Sequence, residues 1–348
     1  MRHGSCIESL GVYLPERILY TKDLEDQLKL SKPLRLEILT GISERRECNS
    51  GEDSLVLAKK AALDCLSFSK YQSRDVEMII YSGITRYVGG LKLLYEPSIS
   101  ILLKEKLGCE KAICFDISNA CAGMLTAFHV ASDFIERGVV ENCLVVSGEY
   151  ISSLTHNAIE HIHTSDSPQV ASLTLGDAGG AAILTRSLPA EGITSSRFVT
   201  LADYSELCMA YLSPAHPGGI METSMREIHE ASIHHAPKVI EEALSEAGLS
   251  LDQIDFLIPH QTSKLAIRAG KDCFTQYFGK MASHVVVNLS KLGNTASTSH
   301  TLALYQLLKE GRIKRGDRIM LLSFASGLVI GAMIFVIHEL ADRYGSNH

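Results

Sequence analysis

The chain has 348 residues, 46% of them hydrophobic and 21% charged, enough to bury a large core in one large domain or two packed together. A net charge of −7 and a pI near 6.1 give no general attraction to nucleic acid or to an anionic membrane, so any basic docking surface must be local. The first ten residues lack a basic region followed by a long apolar run, and the longest apolar stretches, such as 332–337, are too short to span a bilayer. The expected setting is therefore the cytoplasm, with no membrane partner.

In chain order, residues 58–66 read as a helix leading to a strand at 76–82. A strand at 113–117 and a turn at 118–120 precede a helix that Cys121 opens and that runs through Met124, Leu125, Phe128, Val130 and Ile135. That helix ends at Gly138, and a strand follows at 143–147. His156, His161 and His163 fall in a stretch that reads as a polar, exposed loop. It has no partnering cysteine, so no metal is expected. Residues 174–181 form a glycine-rich turn around Asp177 that fits neither a P-loop nor a dinucleotide fingerprint; tight packing of two elements is its expected role. After the strand at 181–184 the chain turns to Ser, Pro and Gly through 185–192. Residues 196–227 lack periodicity and hold Pro214, Pro217, Gly218 and Gly219, which predicts a long excursion of the kind that forms lids or substrate walls.

The remaining elements repeat the earlier ones. A helix-like run at 239–248 leads to a strand at 254–260, in which Ile254 takes the place that Val76 holds in the earlier strand. A helix ending at Gly311 leads to a strand at 319–323, in which Ser323 takes the place of Ser147. Two long segments in the same order at nearly the same offset point to two duplicated halves, 1–188 and 189–348, each alternating amphipathic helices with short β-branched strands as a covered α/β sheet requires.

The duplication places Cys121 opposite a position near 297, so a pseudo-twofold axis brings Cys121 and the loop around Asn294 together. His260 follows a buried-looking strand, at the carboxyl end where α/β crevices form. A thiol at a strand-to-helix turn meets free backbone N–H groups and the positive end of the helix dipole, which is expected to lower its pKa and supply an oxyanion site. An imidazole N–H and an amide N–H aimed at one point would stabilise a thioester enolate. Taken singly, a cysteine like Cys121 is more often a small core residue, His260 more often a satisfied core histidine, and Asn294 reads also as a turn residue; the strand-to-helix setting of Cys121 and the joint placement of the three favour a site. The other eight cysteines, with no Cys-x-x-Cys pair among them, read as reduced thiols that mostly fill the core.

Three segments, Asp116-Ile-Ser-Asn-Ala-Cys-Ala-Gly123, Pro259-His-Gln-Thr262 and Leu292-Gly-Asn-Thr-Ala-Ser297, resemble the signatures of β-ketoacyl-ACP synthase III and its relatives, as do Thr40-Gly-Ile-Ser-Glu-Arg-Arg46 and Leu175-Gly-Asp-Ala-Gly-Gly180. The resemblance implies a five-layered αβαβα thiolase-like fold, a homodimer or a heterodimer with a paralogous subunit, and Cys121, His260 and Asn294 as the catalytic triad. It further implies an oxyanion hole from the amides of Cys121 and Ser326, and acyl-CoA or acyl-ACP substrates with no permanently bound cofactor. Where housekeeping members stack coenzyme A on a tryptophan and an arginine, this chain has no Trp and reads Arg35-Leu-Glu-Ile-Leu39; Thr262-Ser263 and Ala325-Ser-Gly327 also depart from the usual pattern. These departures point away from acetyl-CoA priming and toward specialised fatty acid or polyketide metabolism.

Tyr95-Glu-Pro-Ser98 is similar to a segment of enzymes that condense two acyl thioesters head to head, in which a glutamate removes the α-proton. Glu96 reads equally as such a base or as a surface or dimer-interface carboxylate. Lys264, Arg268 and Lys271, spaced i, i+4 and i+7, form a basic helical stripe after His260 that suits an acidic acyl carrier protein or is merely solvated. Two other readings compete: a cysteine hydrolase with Cys, His and Asn in papain-like order, which lacks the expected Cys-Gly-x-Cys-Trp neighbourhood, and a non-catalytic partner subunit, against which stand the filled catalytic positions.

Overall fold

The computed structural model describes residues 4–188, 191–214 and 217–344. The first half of the chain runs β1 (Gly4–Tyr13), β2 (Arg17–Tyr20), α1 (Thr21–Gln27), α2 (Leu36–Thr40), β3 (Glu44–Glu47), α3 (Ser54–Ser67), β4 (Met78–Tyr81), α4 (Ile99–Leu107), β5 (Ile113–Asp116), α5 (Gly123–Glu136), β6 (Asn142–Glu149), α6 (Ser152–His161) and β7 (Ala178–Ser187). The second runs β8 (Ile193–Thr200), β9 (Cys208–Leu212), β10 (Gly219–Thr223), α7 (Met225–Ala247), β11 (Phe256–Pro259), α8 (Lys264–Phe278), β12 (His284–Val285), α9 (Ser299–Lys309), β13 (Arg318–Ala325) and β14 (Val329–Val336).

Each half supplies one five-stranded sheet. The orders are β1-β7-β6-β4-β5 and β8-β14-β13-β11-β12, the same arrangement in both halves. In each, the β4 or β11 strand pairs parallel with both neighbours and the other two pairings are antiparallel. The halves face each other across α5 and α9, whose Leu125, Phe128, Leu304 and Leu307 pack with Ile80 and Val145 of one sheet and Ile258 and Leu321 of the other. Apolar faces on both sides of these two helices explain why they lie buried between sheets rather than on a surface. On the outer faces, α3 and α4 cover the first sheet and α7 and α8 the second. The result is five layers, α/β/α/β/α, as the resemblance implies. The division at 188 and 189 runs into residues 189 and 190, which lie outside the described residues.

Close layer packing explains the glycines between strands. A Cβ on Gly148 of β6 would run into the Ser54 carbonyl oxygen and stand 2.8 Å from the Ala58 nitrogen, so α3 sits on the sheet at a distance that only glycine permits.

Two expectations are corrected. His156 and His161 lie in α6 rather than in a loop. The buried Asp177 carboxylate accepts from the Ile151 and Ser152 backbone N–H groups and the Ser152 hydroxyl, capping the start of that helix from 25 residues away, a long-range cap that local pattern does not reveal. Residues 196–227 are not a single irregular excursion: their start belongs to β8, and β9 and β10 form a hairpin. Ala215 and His216 of this stretch lie outside the described residues.

Candidate active site

Strand β5 ends at Asp116, whose two carboxylate oxygens accept from the Ile99 and Ser100 N–H groups and so pin the start of α4 to the segment leading into Cys121. Cys121 then sits in a short 3-10 turn, Ala120–Ala122, immediately before α5. Ala120 adopts φ 45°, in the left-handed region that costs a non-glycine residue about 1 kcal/mol or more. The same turn recurs in the other half: Ala296, the counterpart of Ala120, has φ 48° and opens the 3-10 turn Ala296–Thr298 before α9. Cys121 and Ser297 therefore occupy equivalent positions on two facing elbows. Gly123 seats the first elbow, since a Cβ there would collide with the Ser82 carbonyl oxygen.

His260 follows β11 and is 4% exposed. Its backbone N–H donates to the Leu322 carbonyl (2.8 Å), and the next residue, Ser323, donates its hydroxyl to the Cys121 carbonyl (3.5 Å), so β13 bridges the histidine to the cysteine elbow. Gln261 locks the turn: its amide donates to the carbonyls of Pro259 (2.7 Å) and Val286 (3.1 Å) and accepts from the Asn288 N–H (2.9 Å). Asn294 is fixed by the glycine-rich turn of the first half. Its N–H donates to the Thr174 carbonyl (2.8 Å), its carbonyl accepts from the Gly176 N–H (3.0 Å), and its side-chain oxygen accepts from the Ala296 N–H (3.0 Å), so the amide NH2 is the side chain's remaining polar group. Beneath this junction Arg45 is 2% exposed, donating to Thr21 Oγ1 (2.9 Å) and the Leu173 carbonyl (2.7 Å). Ala296 and Leu175 pack against Cys121, so the asparagine turn and the cysteine are neighbours.

Ser326 lies in the β13–β14 turn, half-buried, next to Ala325, which packs in one cluster with Cys121 and Ala122. Met221 of the β9–β10 hairpin joins the apolar group around Cys121, so the hairpin walls the site. The structure thus gathers Cys121, His260, Asn294 and the Ser326 turn. Glu96 stands apart: it is exposed, on the tip 95–97 that precedes α4. Lys264, Arg268 and Lys271 are exposed along α8, whose N-terminus is capped by Ser263. Beside them Ile38 and Leu39 of α2 (74% and 47% exposed) and Leu265 (54%) form an apolar patch that the charge pattern alone does not reveal.

Electrostatics correct one expectation. Burial pushes the Cys121 thiol well up rather than down, with the nearby Cys208 and Glu149 adding to the rise. Desolvation of the anion outweighs the helix N-terminus because the thiol lies among apolar side chains. Burial lowers His260 to about 3, with the neighbouring His300 adding to the fall, and burial lowers His300 to about 4. Both imidazoles are therefore neutral. The unfolded chain protonates them near 6.5 and the folded chain only near 3 and 4, so their contribution to stability is complete above about pH 6.5 and is lost as pH falls toward 4. Glu149, a buried carboxyl raised to about 7, contributes with the opposite sign over the same range, so the rings are read directly: NMR titration from pH 7 to pH 5 should leave the His260 and His300 rings unprotonated, and titration near 6.5 would contradict their burial. Residues that sequence reasoning missed here are Gln261, Glu149 and Ser297. Ser297 alone was within reach, through the offset between the two halves.

Among the described residues no group of three metal-ligating side chains occurs, and no helix is long and apolar enough to cross a membrane.

Two β sheets separated by paired helices, with a cysteine elbow facing a histidine and an asparagine, define a thiolase-like condensing enzyme. Family models described as 3-oxoacyl-[acyl-carrier-protein] synthase III match residues 115–202, and those of its C-terminal region match residues 244–337. The β-ketoacyl-[acyl-carrier-protein] synthase III of Aquifex aeolicus is 30% identical over 334 residues, covering 95% of this chain and 99% of its own; that of Symbiobacterium thermophilum is 31% identical over 343 residues, covering 94% and 96%. The solved Aquifex aeolicus structure superposes with a TM-score of 0.81 at 27% identity, covering 96% of this chain and all of that one. OleA of Xanthomonas campestris, crystallised with lauric acid and lauroyl-CoA, shares the fold with a TM-score of 0.85 at 24% identity, covering 97% of this chain and 100% of that chain. The chain belongs to the 3-oxoacyl-[acyl-carrier-protein] synthase III family and is an acyltransferase. The papain-like reading is excluded, because that fold does not contain two matched five-stranded sheets.

Proposed function

We propose that the protein makes a carbon–carbon bond between two acyl thioesters through an acyl group carried on Cys121, in specialised fatty acid or polyketide metabolism. The observation that carries this is the Cys121 elbow before α5, set beside a buried, neutral His260 and the amide NH2 of Asn294. In the first step the Cys121 sulfur attacks the acyl carbonyl of a coenzyme A or carrier thioester, and the departing thiolate takes up the proton that Cys121 loses. The backbone N–H groups of Cys121 and Ser326 receive the charge on the carbonyl oxygen. In the second, His260 and Asn294 donate to the carbonyl oxygen of the other thioester while its α-carbon becomes an enolate. That carbon attacks the acyl-Cys121 carbonyl, and the Cys121 thiolate leaves, so one C–C bond replaces one C–S bond.

The enolate arises either by loss of CO2 from a malonyl-type extender or by removal of an α-proton. For the second route Glu96 is the proposed base, acting across a dimer. Strand β5 is an outer strand whose free edge has no partner among the described residues, and Ile113 (52%), Ile101 (47%) and Tyr95 (77%) are exposed around it. We read this edge as the joint with a second copy or a paralogous subunit, which would carry the 95–97 tip to the neighbouring site. The stripe Lys264, Arg268 and Lys271, with the apolar patch of Ile38, Leu39 and Leu265, suits an acidic acyl carrier protein on a chain whose net charge is −7. Free cysteines throughout, without a disulfide among the described residues, fit the proposed cytoplasmic setting.

The test is intact-protein mass spectrometry with acyl-CoA and acyl-ACP donors, followed by product assay with malonyl or unactivated extenders in wild type and Glu96→Ala. Acyl mass on the wild type is expected, with Glu96→Ala losing product by about 10²-fold or more only with unactivated extenders. Absence of any acyl mass would leave the chain as a non-catalytic subunit; equal loss with both extenders would make Glu96 a structural residue.

A further inference from the structure

Beneath the Asn294–Ser297 elbow, which faces the cysteine elbow, lies a buried carboxyl that the proposed chemistry does not use. Glu149 ends β6 and is fully buried, and among the described residues it forms no ion pair. Its Oε1 accepts from the hydroxyls of Ser297 and Ser147 (3.1 Å for Ser147), and the Ile84 N–H lies 3.2 Å from its second oxygen. Ser147 and Ser297 are also 2.9 Å apart, so strand β6 of one half is joined to the elbow of the other. Across the pseudo-twofold, Ser323 does the same for the Cys121 elbow. The equivalent of Glu149 on β13 is Ala325, two positions past Ser323 as Glu149 is past Ser147, so only one of the two elbows has a carboxyl beneath it. Ser297 lies three positions after Asn294, inside the turn that holds the Asn294 side chain.

We propose that Glu149 is a positioning and charge-setting residue of the condensing site, tying the Asn294 turn to strand β6 and contributing through its own charge to how readily the facing Cys121 thiol ionises. The proposal rests on the reading of Cys121 as the acylated nucleophile. Burial raises the carboxyl to about 7 against hydrogen bonds from Ser297, Ile84 and Ser147 that favour its ionised form, so the group changes charge in the working range of an enzyme. The titratable groups around it are Cys121 on the elbow and Tyr81 on β4, both pushed up partly by Glu149 itself, and Asp177, next to the residue that pairs with Glu149 on β7. Burial opposes the Cys121 thiolate in either case; ionised Glu149 adds a further buried negative charge to that opposition, and neutral Glu149 removes it.

The experiment compares wild type with Glu149→Gln, Glu149→Ala and Ser297→Ala. Alkylation of Cys121 by iodoacetamide is followed by mass from pH 6 to 9, alongside acylation and condensation kinetics. Glutamine keeps the acceptor and removes the charge, so Glu149→Gln should react like wild type at pH 6 and about 3- to 10-fold faster at pH 8.5. Ser297→Ala removes a donor to the carboxylate, keeps Glu149 neutral to higher pH and should shift the profile in the same direction, which preserves the test if Glu149→Gln folds poorly. Glu149→Ala should lower condensation kcat about 10- to 100-fold with KM for the acyl donor changed by less than about threefold. Identical alkylation profiles in wild type and the two charge-altering variants overturn the charge-setting role, and unchanged kcat in Glu149→Ala overturns the positioning role. Failure of wild-type Cys121 to take an acyl group would instead overturn the underlying function and leave the alkylation comparison standing.

Discussion

Cys121→Ala should abolish the acyl-enzyme mass and lower condensation by about 10³-fold or more, with Tm changed little, because the substitution removes the proposed nucleophile and only one sulfur atom of packing. Cys121 packs beside the clusters that hold Leu175, Ala296 and Ala325, and alanine keeps its Cβ there. Intact mass after mixing with an acyl thioester measures the covalent step directly, and product assay measures the whole reaction. An acyl mass that persists in Cys121→Ala would move the nucleophile elsewhere. Cys208 on β9 would be the first to replace, since it is the other thiol whose charge reaches Cys121.

His260→Ala should separate the two half-reactions. Acylation of Cys121 is expected to proceed, while condensation falls about 10²- to 10³-fold and the acyl-enzyme accumulates, because the lost N–H serves the enolate oxygen and not the thiol. The neutral state of the ring sharpens this. With protonation displaced to about 3, the acid limb of the wild-type condensation profile should not titrate in the ordinary histidine range. Loss of acylation together with condensation would show His260 acting on the Cys121 proton instead. An acid limb near 6.5 would show the ring less buried in the working enzyme than its surroundings imply.

The main lines of this fold are legible in the sequence because they rest on local periodicity and on repetition. Amphipathic helices and short apolar strands announce themselves by spacing, and the near-constant offset between the halves sets Cys121 against Ser297, as the matching left-handed alanines Ala120 and Ala296 bear out. Cys121, His260 and Asn294 stand out because each follows a strand or a glycine turn in a motif of recognisable order.

What stays hidden are properties set by contacts between distant segments. Helix α6 reads as a polar loop because the carboxylate that caps it, Asp177, lies 25 residues downstream. The helix beside Cys121 is expected to acidify its thiol, yet the pKa is raised, because burial depends on Ile151, Leu175, Ala296 and Ala325 closing around it from four parts of the chain. Glu149 gives no signal at all, since a glutamate at a strand end is ordinary until the opposite elbow seals it from water. Sequence by itself determined the paired sheets, which follow from short-range pattern and internal repetition, and the class of protein, through motifs that resemble a known family, and it nominated the side chains proposed to react. The tertiary structure alone decided which charges are desolvated, because dielectric environment is a property of everything packed around a group and not of its neighbours along the chain.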